Sequence, residues 1–354
     1  LKLSEKALYK GIERVLGSVT VAKGLNMLER GNLIASKWGK FADPVAVGLD
    51  ATRFDQHFGE QALRYEHSVY NGWHNDPELR KLLRWQLVND GLYNSDEGKV
   101  TYRVRGCRMS GDMNTSSGNC LVMCAMVSTY GEQRDVQTEL VNDGDDCVVF
   151  LERRDLNRYL DGLHDWFLEL GFDMKQEDPV YEIEQVEFCQ AHPINIGGGQ
   201  YVMVRDPKMS ISKDSLILKP NLTHIDGLSA WMWTVGDAMS AACGGIPVLG
   251  EFYQMYRRNG KRVEKLDFAG DMWWYNHVSK GMASRRGLPV LDETRLSFYL
   301  AFGMLPDEQV AVEEHFRRTT IPSRYPQRPT VNTLGTSNLS VSIANLILDA
   351  ENQI

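Results

Sequence analysis

The chain has 354 residues, 43% hydrophobic and 24% charged, with a formal net charge of −8. That is the composition of a globular protein with a sizeable core, on the order of two domains or one large enzyme with subdomains. It excludes a disordered tail, a collagen-like rod and a disulfide miniprotein.

In chain order, Ser4–Leu16 spaces Leu8, Ile12, Val15 and Leu16 at a helical period, with Gly17 as a stop. Leu25–Trp38 predicts a second helix. The run Pro44–Asp50 (PVAVGLD) is short, apolar, rich in β-branched residues and ends in an aspartate, the pattern of a buried strand. Residues 57–92 predict helix, interrupted by a turn at His74-Asn75-Asp76-Pro77. Lys99–Arg105 alternates and predicts a strand with Arg103 and Arg105 on one face. Asn119–Tyr130 predicts an apolar helix. Thr138–Leu151 sets apolar runs on both sides of Asn-Asp-Gly-Asp-Asp, a hairpin with an acidic turn. Asp155–Leu170 predicts an amphipathic helix ending at Gly171. Short strands follow through Arg205, and helix dominates from Asp214 onward. The sum is an α+β fold with a small antiparallel sheet mid-chain and a helical C-terminal third.

The cysteines (Cys107, Cys120, Cys124, Cys147, Cys189 and Cys243) contain no C-x-x-C pair and read as small buried residues of a reducing compartment. The most apolar stretch, Leu228–Leu249, is broken by Asp237 and Gly244-Gly245, which fits a core helix rather than a membrane span. The first residues, LKLSEKALYK, hold neither a signal-peptide core nor an initiator Met, so the chain is expected to be a piece of a longer one.

Charge is unevenly spread. Gly131–Gln190 holds seventeen acids and five bases, a balance of −12, so the remaining residues sum to +4. Residues 1–46 carry eight bases against four acids, and Arg317, Arg318, Arg324 and Arg328 form a second basic stretch. A basic groove around an acidic metal site fits these sums, and so does a set of solvated faces.

Three segments carry chemistry: Asp50-Ala-Thr-Arg-Phe-Asp55, Ser110–Asn119 (SGDMNTSSGN) and Gly144-Asp145-Asp146. Each alone is weak. Gly-Asp-Asp is also a good type I′ turn, and an acid closing a strand is a common helix N-cap. In combination, Asp50 at a strand end and Asp145 in a hairpin turn meet if their strands are neighbours. Carboxylates gathered there repel one another unless cations neutralise them, and paired magnesium ions about 3.5–4 Å apart activate an attacking oxygen and stabilise a leaving phosphate. Asp55 lies just over one helical turn beyond Asp50 and can face the same pocket. The Gly- and Ser-rich loop around Gly111 opens a helix and offers backbone N–H groups to a phosphate or sugar. Thr115 and Asn119, four apart, share a helical face, and with Asp55 they can bond a ribose 2′-hydroxyl, the group that marks RNA.

In order, spacing and wording these segments resemble the palm of viral RNA-dependent RNA polymerases, in particular those of tombusviruses, carmoviruses and their plus-strand relatives. GLDATRFDQH resembles their motif A, SGDMNTSSGNCLVMC motif B and NDGDDCVVF motif C. The resemblance implies a right-hand polymerase: residues 1–46 part of the fingers, 47–62 palm with motif A, 63–100 an insertion between fingers and palm, 101–213 palm with motifs B to E, and 214–354 a helical thumb, with Trp231, Trp233, Trp273 and Trp274 in its core. It implies that Asp50 and Asp145 hold two Mg²⁺ ions, with Mn²⁺ as a substitute, and that Asp146 supports them less directly. Asp55 and Asn119 match the pair that senses the ribose hydroxyl. Ser110, Gly111 and Thr115 match positions around the incoming nucleotide and template. Lys175 sits where motif D carries a lysine that can protonate departing pyrophosphate; a solvated strand-edge lysine is the other reading. Glu187-Phe-Cys189-Gln190 resembles motif E, which supports the primer end. Arg205 and Lys213 would meet RNA phosphates, or serve only as surface charges. Arg103, Arg105 and Arg108 are assigned a template or nucleotide role, while Arg53 has a structural alternative.

The basic motif F that precedes motif A in such polymerases has no counterpart before Asp50, and the chain is expected to begin just after it. The rival readings are a reverse transcriptase or other DNA-making polymerase, against which Asp55 with Asn119 argues, and a catalytically incompetent fragment that only binds RNA. Implied partners are template and nascent RNA, NTPs and other viral replication proteins. The implied setting is the host cytoplasm, in membrane-associated replication complexes, with membrane attachment through segments outside this sequence.

Overall fold

The computed structural model describes residues 1, 4–216, 225–262, 275, 277 and 279–321. Arg324, Arg328, Trp273 and Trp274 lie outside the described residues. The chain divides into two compact units, Leu1–Lys23 with Ser36–Cys189, and Gly24–Ala35 with Gln190–Ile354. The architecture is mixed α+β with small antiparallel sheets.

The first unit is centred on a four-stranded antiparallel sheet of order β4-β5-β1-β6, formed by β1 (Pro44–Ala51), β4 (Thr138–Asp143), β5 (Asp146–Glu152) and β6 (Met174–Gln176). In β1, Val45, Ala46, Val47 and Leu49 are all buried, which is why this strand reads as an unbroken apolar run. Its register with β5 runs from Pro44 opposite Glu152 to Asp50 opposite Asp146. Beyond β4, the segment Thr20–Ala22 runs alongside: Ala22 N donates to Asn142 O at 2.8 Å and Asn142 N to Thr20 O at 2.9 Å.

Helix α6 (Thr115–Gln133) packs against α1 (Glu5–Leu16) and β4 and buries nearly every side chain from Ser117 to Val127. It starts four residues before the predicted Asn119: Gly118 N donates to Asn114 O at 2.7 Å, so Thr115–Gly118 form its first turn. A ring cluster of Phe54, Phe58 and Phe172, with centroids 4.8–5.9 Å apart, fixes the segment after β1. The predicted helix Asp155–Leu170 is broken into α7 (Leu156–Leu160) and α8 (Leu163–Glu169) at Gly162, whose φ of +70° ends the first helix. The buried Tyr130 hydroxyl serves this break, lying 2.8 Å from Tyr159 O and 3.0 Å from Asp161 O.

The predicted 57–92 helix is three elements plus a short leading turn, α3 (Phe54–His57). Helices α4 (Glu60–His74) and α5 (Pro77–Trp85) follow, the latter capped by the Asp76 carboxylate, which accepts from Glu78 N at 2.8 Å. Val88–Ser95 is a strand, β2, paired with β3 (Gly98–Arg105). Asp90, Gly91 and Asn94 are poor helix formers, and β3 supplies the partner that the local pattern does not reveal.

The second unit holds the hairpin β7 (Ala191–Asn195) and β8 (Tyr201–Arg205) and helices α9 (Pro207–Asp214), α10 (Ile225–Ala242), α11 (Leu249–Asn259), α12 (Asp292–Phe302) and α13 (Pro306–Arg318). The N-terminal part of α2 (Met27–Trp38) also belongs to it, and Gly31 lies so close to the Tyr201 carbonyl that no side chain would fit. Buried Asp214 accepts from the Tyr253 hydroxyl at 2.6 Å and lies 3.6 Å from Arg205. Among the described residues no helix is long and apolar enough to cross a membrane.

Candidate active site

Strand order brings three of the singled-out residues side by side. Asp50 is the last residue but one of β1, with Asp146 opposite it on β5 and Lys175 opposite it on β6. Asp145 stands next to them in the two-residue turn Gly144-Asp145 between β4 and β5. Of the turn pair only Gly144 has a positive φ, +95°, the pattern of a type II′ rather than the expected type I′ turn.

The turn is tied from below by Asn142, fully buried: its Nδ2 donates to Gly144 O at 2.8 Å and Asp146 O at 3.2 Å, and its Oδ1 accepts from Gly144 N at 3.2 Å. Lys23, from the segment flanking β4, forms an ion pair with Asp143. Burial pulls the Lys23 ammonium down, and the Asp143 carboxylate outweighs it, leaving the lysine above its ordinary value and charged. On the other side, Cys189 N donates to Asp146 Oδ2 at 2.8 Å. Burial nevertheless raises the Asp146 carboxyl, with Asp143 and Asp145 adding to the effect.

Asp50 and Asp145 are exposed, whereas Asp146 is half-buried with one oxygen engaged. Among the described residues no group of three His, Cys, Asp or Glu side chains is arranged to hold a metal ion. The donor set still suits magnesium, which takes one or two carboxylates and completes its shell with water and substrate phosphate oxygens. Asp50 and Asp145 are the pair that remains open for this.

A second cluster surrounds Asp55, carried by α3 after the chain reverses through Arg53 at φ +48°. Asn119 Nδ2 donates to Asp55 Oδ1 at 2.9 Å and Ser110 Oγ donates to Asp55 Oδ2. Asn119 Oδ1 is buried and has no hydrogen-bond partner among the described residues, an acceptor positioned beside the Asp55 carboxylate. Thr115 is turned inward, its Oγ1 donating to Met109 O at 2.9 Å, so it shapes the loop. A cavity of about 590 Å³ joins the two clusters, with Asp145, Asp55, Ser110, Arg53 and Tyr102 among its lining residues.

Gly111 is exposed in the loop before α6. Arg103 and Arg105 share a face of β3 as expected; Arg103 is exposed, 3.7 Å from Asp90, and Arg105 pairs with Glu60 at 2.7 Å. Arg108 departs from its expected direct contact with RNA: its side chain is fully buried in an ion pair with Glu66. Arg205 likewise is turned to buried Asp214. Lys175, Lys213 and Gln190 are exposed, and Cys189 lies half-buried against Asp146 and Asp143. Arg317 and Arg318 are paired with Glu251 and Glu314, which neutralises the described part of the second basic stretch. Sequence reasoning missed Lys23, Asn142 and Glu66. Asn142 stands beside the acidic turn in the quoted run, while Lys23 and Glu66 had no signal in spacing.

Residues 1–324 match the family described as "Viral RNA dependent RNA polymerase". The chain belongs to that family. Within this polymerase family it is similar to the RNA-directed RNA polymerase of turnip crinkle virus, 42% identical over 322 residues, which cover 89% of this chain and 41% of that protein. It is similar also to the RNA-directed RNA polymerases of oat chlorotic stunt virus (40% identity over 334 residues; 90% of this chain, 44% of the relative) and tobacco necrosis virus strain A (42% over 317 residues; 88% and 43%). The chain thus spans less than half the length of these curated relatives.

Proposed function

We propose that this chain is the catalytic core of a template-directed RNA polymerase that copies a plus-strand viral genome. The observation that carries the reading is one cavity lined by Asp145, Asp55 and Ser110, with Asp50 opposite Asp146 in the sheet and Asn119 bonded to Asp55. One end offers carboxylates for phosphate chemistry and the other a polar cradle for a sugar. The sheet β4-β5-β1-β6 would be the palm within 47–62 and 101–213, residues 1–46 would belong to the fingers, 63–100 would be an insertion between fingers and palm, and 214–354 the thumb.

In the reaction, a 3′-hydroxyl of the nascent RNA or an initiating nucleotide loses its proton to water and its oxygen bonds to the α-phosphorus of an NTP, while the bond from that phosphorus to the bridging oxygen of the β-phosphate breaks and pyrophosphate leaves. Asp50 and Asp145 would hold magnesium, or manganese in its place, and the metal when bound supplies Lewis-acid stabilisation of charge on the reacting phosphate. Asn119, with its open Oδ1, and Asp55 would orient the ribose through its 2′-hydroxyl. Lys175, opposite Asp50, would deliver a proton to the leaving pyrophosphate. Asp146, pinned by Cys189 N, would keep the turn in place. Arg103 and Lys213 are exposed and suited to RNA phosphates. Other viral replication proteins, and a host-cytoplasmic membrane reached through other segments of the protein, complete the proposed setting.

The test is extension on an RNA template by the complete protein, with NTPs or dNTPs and magnesium. The expected result is NTP-dependent extension that Asp145→Ala abolishes. Preference for dNTPs would support a DNA-making polymerase, and RNA binding without extension would support a binding module; either overturns the proposal.

A further inference from the structure

We propose that Glu66 and Arg108 are positioning residues for ribose recognition, a buried ion pair that sets the Asp55 carboxylate against Asn119. The inference rests on the polymerase reading above and assigns a specificity role to side chains that do not reach the substrate.

Glu66 comes from α4 and Arg108 from the loop between β3 and α6, and both side chains are fully buried. The Arg108 guanidinium lies over the Phe58 ring, 3.9 Å from its centroid, and its Nε and Nη1 have no hydrogen-bond partner among the described residues. Its place is therefore set by Glu66 and by the ring. The other Glu66 oxygen accepts from Asn114 Nδ2 at 2.6 Å, and Asn114 Oδ1 in turn accepts from Gln86 Nε2 at 2.7 Å. Asn114 immediately precedes α6.

From this pair the ribose cluster is one short step away in three directions. Arg108 N donates to Asp55 O at 2.9 Å, which fixes the backbone of Asp55. Ser110, two residues after Arg108, donates to the Asp55 carboxylate. Gly118, directly before Asn119, packs so tightly on the Glu66 carboxylate and Arg108 Nη2 that it has no room for a Cβ. Shifting the pair shifts Asp55 and Asn119 relative to each other, and misplacements of about 1 Å are enough to change rates a hundredfold. A buried pair is also a poor way to fill space, since apolar side chains of similar volume are commonly as stabilising or more so. Its direction-specific bonds are what an apolar filling lacks.

The test compares wild type, Glu66→Gln and the double variant Glu66→Leu/Arg108→Met in the complete protein. The double variant replaces both charges with apolar groups and is expected to keep a melting temperature near that of wild type. The readout is the ratio of kcat/KM for GTP to that for dGTP on an RNA template. The expected result is a fall in that ratio of roughly tenfold or more in both variants. Where a folded variant no longer extends, the same preference is read from equilibrium binding of GTP and dGTP. A folded double variant with the wild-type ratio overturns the inference, including one whose overall rate has dropped equally for both nucleotides. Failure of the wild type itself to extend RNA defeats instead the polymerase reading.

Discussion

Asn142 and Asp145 sit three residues apart and carry opposite burdens. Asn142 is fully buried and holds the acidic turn through three hydrogen bonds. Truncating it to Ala leaves backbone groups of the turn unsatisfied, which costs about 1–3 kcal/mol. Asn142→Ala is therefore expected to melt lower and to extend RNA poorly, measured by thermal denaturation and primer extension on one preparation. Asp145 is exposed in the turn, so Asp145→Asn is expected to melt as wild type does while turnover falls by roughly 10²–10³-fold or more. Asp145 was legible because a hairpin turn between two apolar runs can be read locally. Asn142 lay in the same run, but its side chain folds back under the turn, which spacing does not encode. Arg108 was grouped with Arg103 and Arg105 as one more cation. Its burial depends on Glu66, 42 residues earlier, and on the Phe58 ring.

At the scale of elements, β1, the hairpin β4-β5 and α1 could be read directly, since each has its own periodicity and a turn or stop at its end. The hairpin β2-β3 could be read only in part. Lys99–Arg105 alternates, but Val88–Ser95 becomes a strand through pairing with it. This hairpin is where the RNA-contact expectation divides. Arg103 is exposed, so Arg103→Ala is expected to weaken RNA binding across all sequences and to lower the slope of log affinity against log salt by about one, in filter binding over a salt series. Helix α6 is constrained in a different way. Gly118→Ala sets a methyl group against Glu66 and Arg108, and overpacking of this kind is expected to cost about 1–3 kcal/mol, read as a fall in denaturation midpoint.

Across the whole molecule, the net charge of −8 concealed how the basic residues are used. Lys23 and Lys37 are spent on acids at either end of β4, and composition cannot distinguish such internal pairing from a groove for RNA. The Lys37 side of this pairing sets a pH dependence. Burial would raise the Glu139 carboxyl, but the bonds from Lys37, Lys40 and Ser18 outweigh it, and the group is held below its ordinary 4.5. A carboxyl lowered in the folded state adds stability above its unfolded pKa and loses it as pH falls through the folded value. Wild type should therefore exceed Glu139→Gln in stability by the most near neutrality. The gap should close below about pH 4.5, a trend that urea midpoints measured from pH 7 to 3 would show.

The segment Thr20–Ala22 has a consequence beyond holding Asn142. Strand β4 is outermost in its sheet, and these residues occupy hydrogen-bonding groups that would otherwise face outward. A bare sheet border is a template on which a second copy can add a strand. A protein cut after Lys23 would thus gain adhesiveness as well as lose the helix α1, and its self-association would appear in light scattering as oligomers whose size grows with concentration.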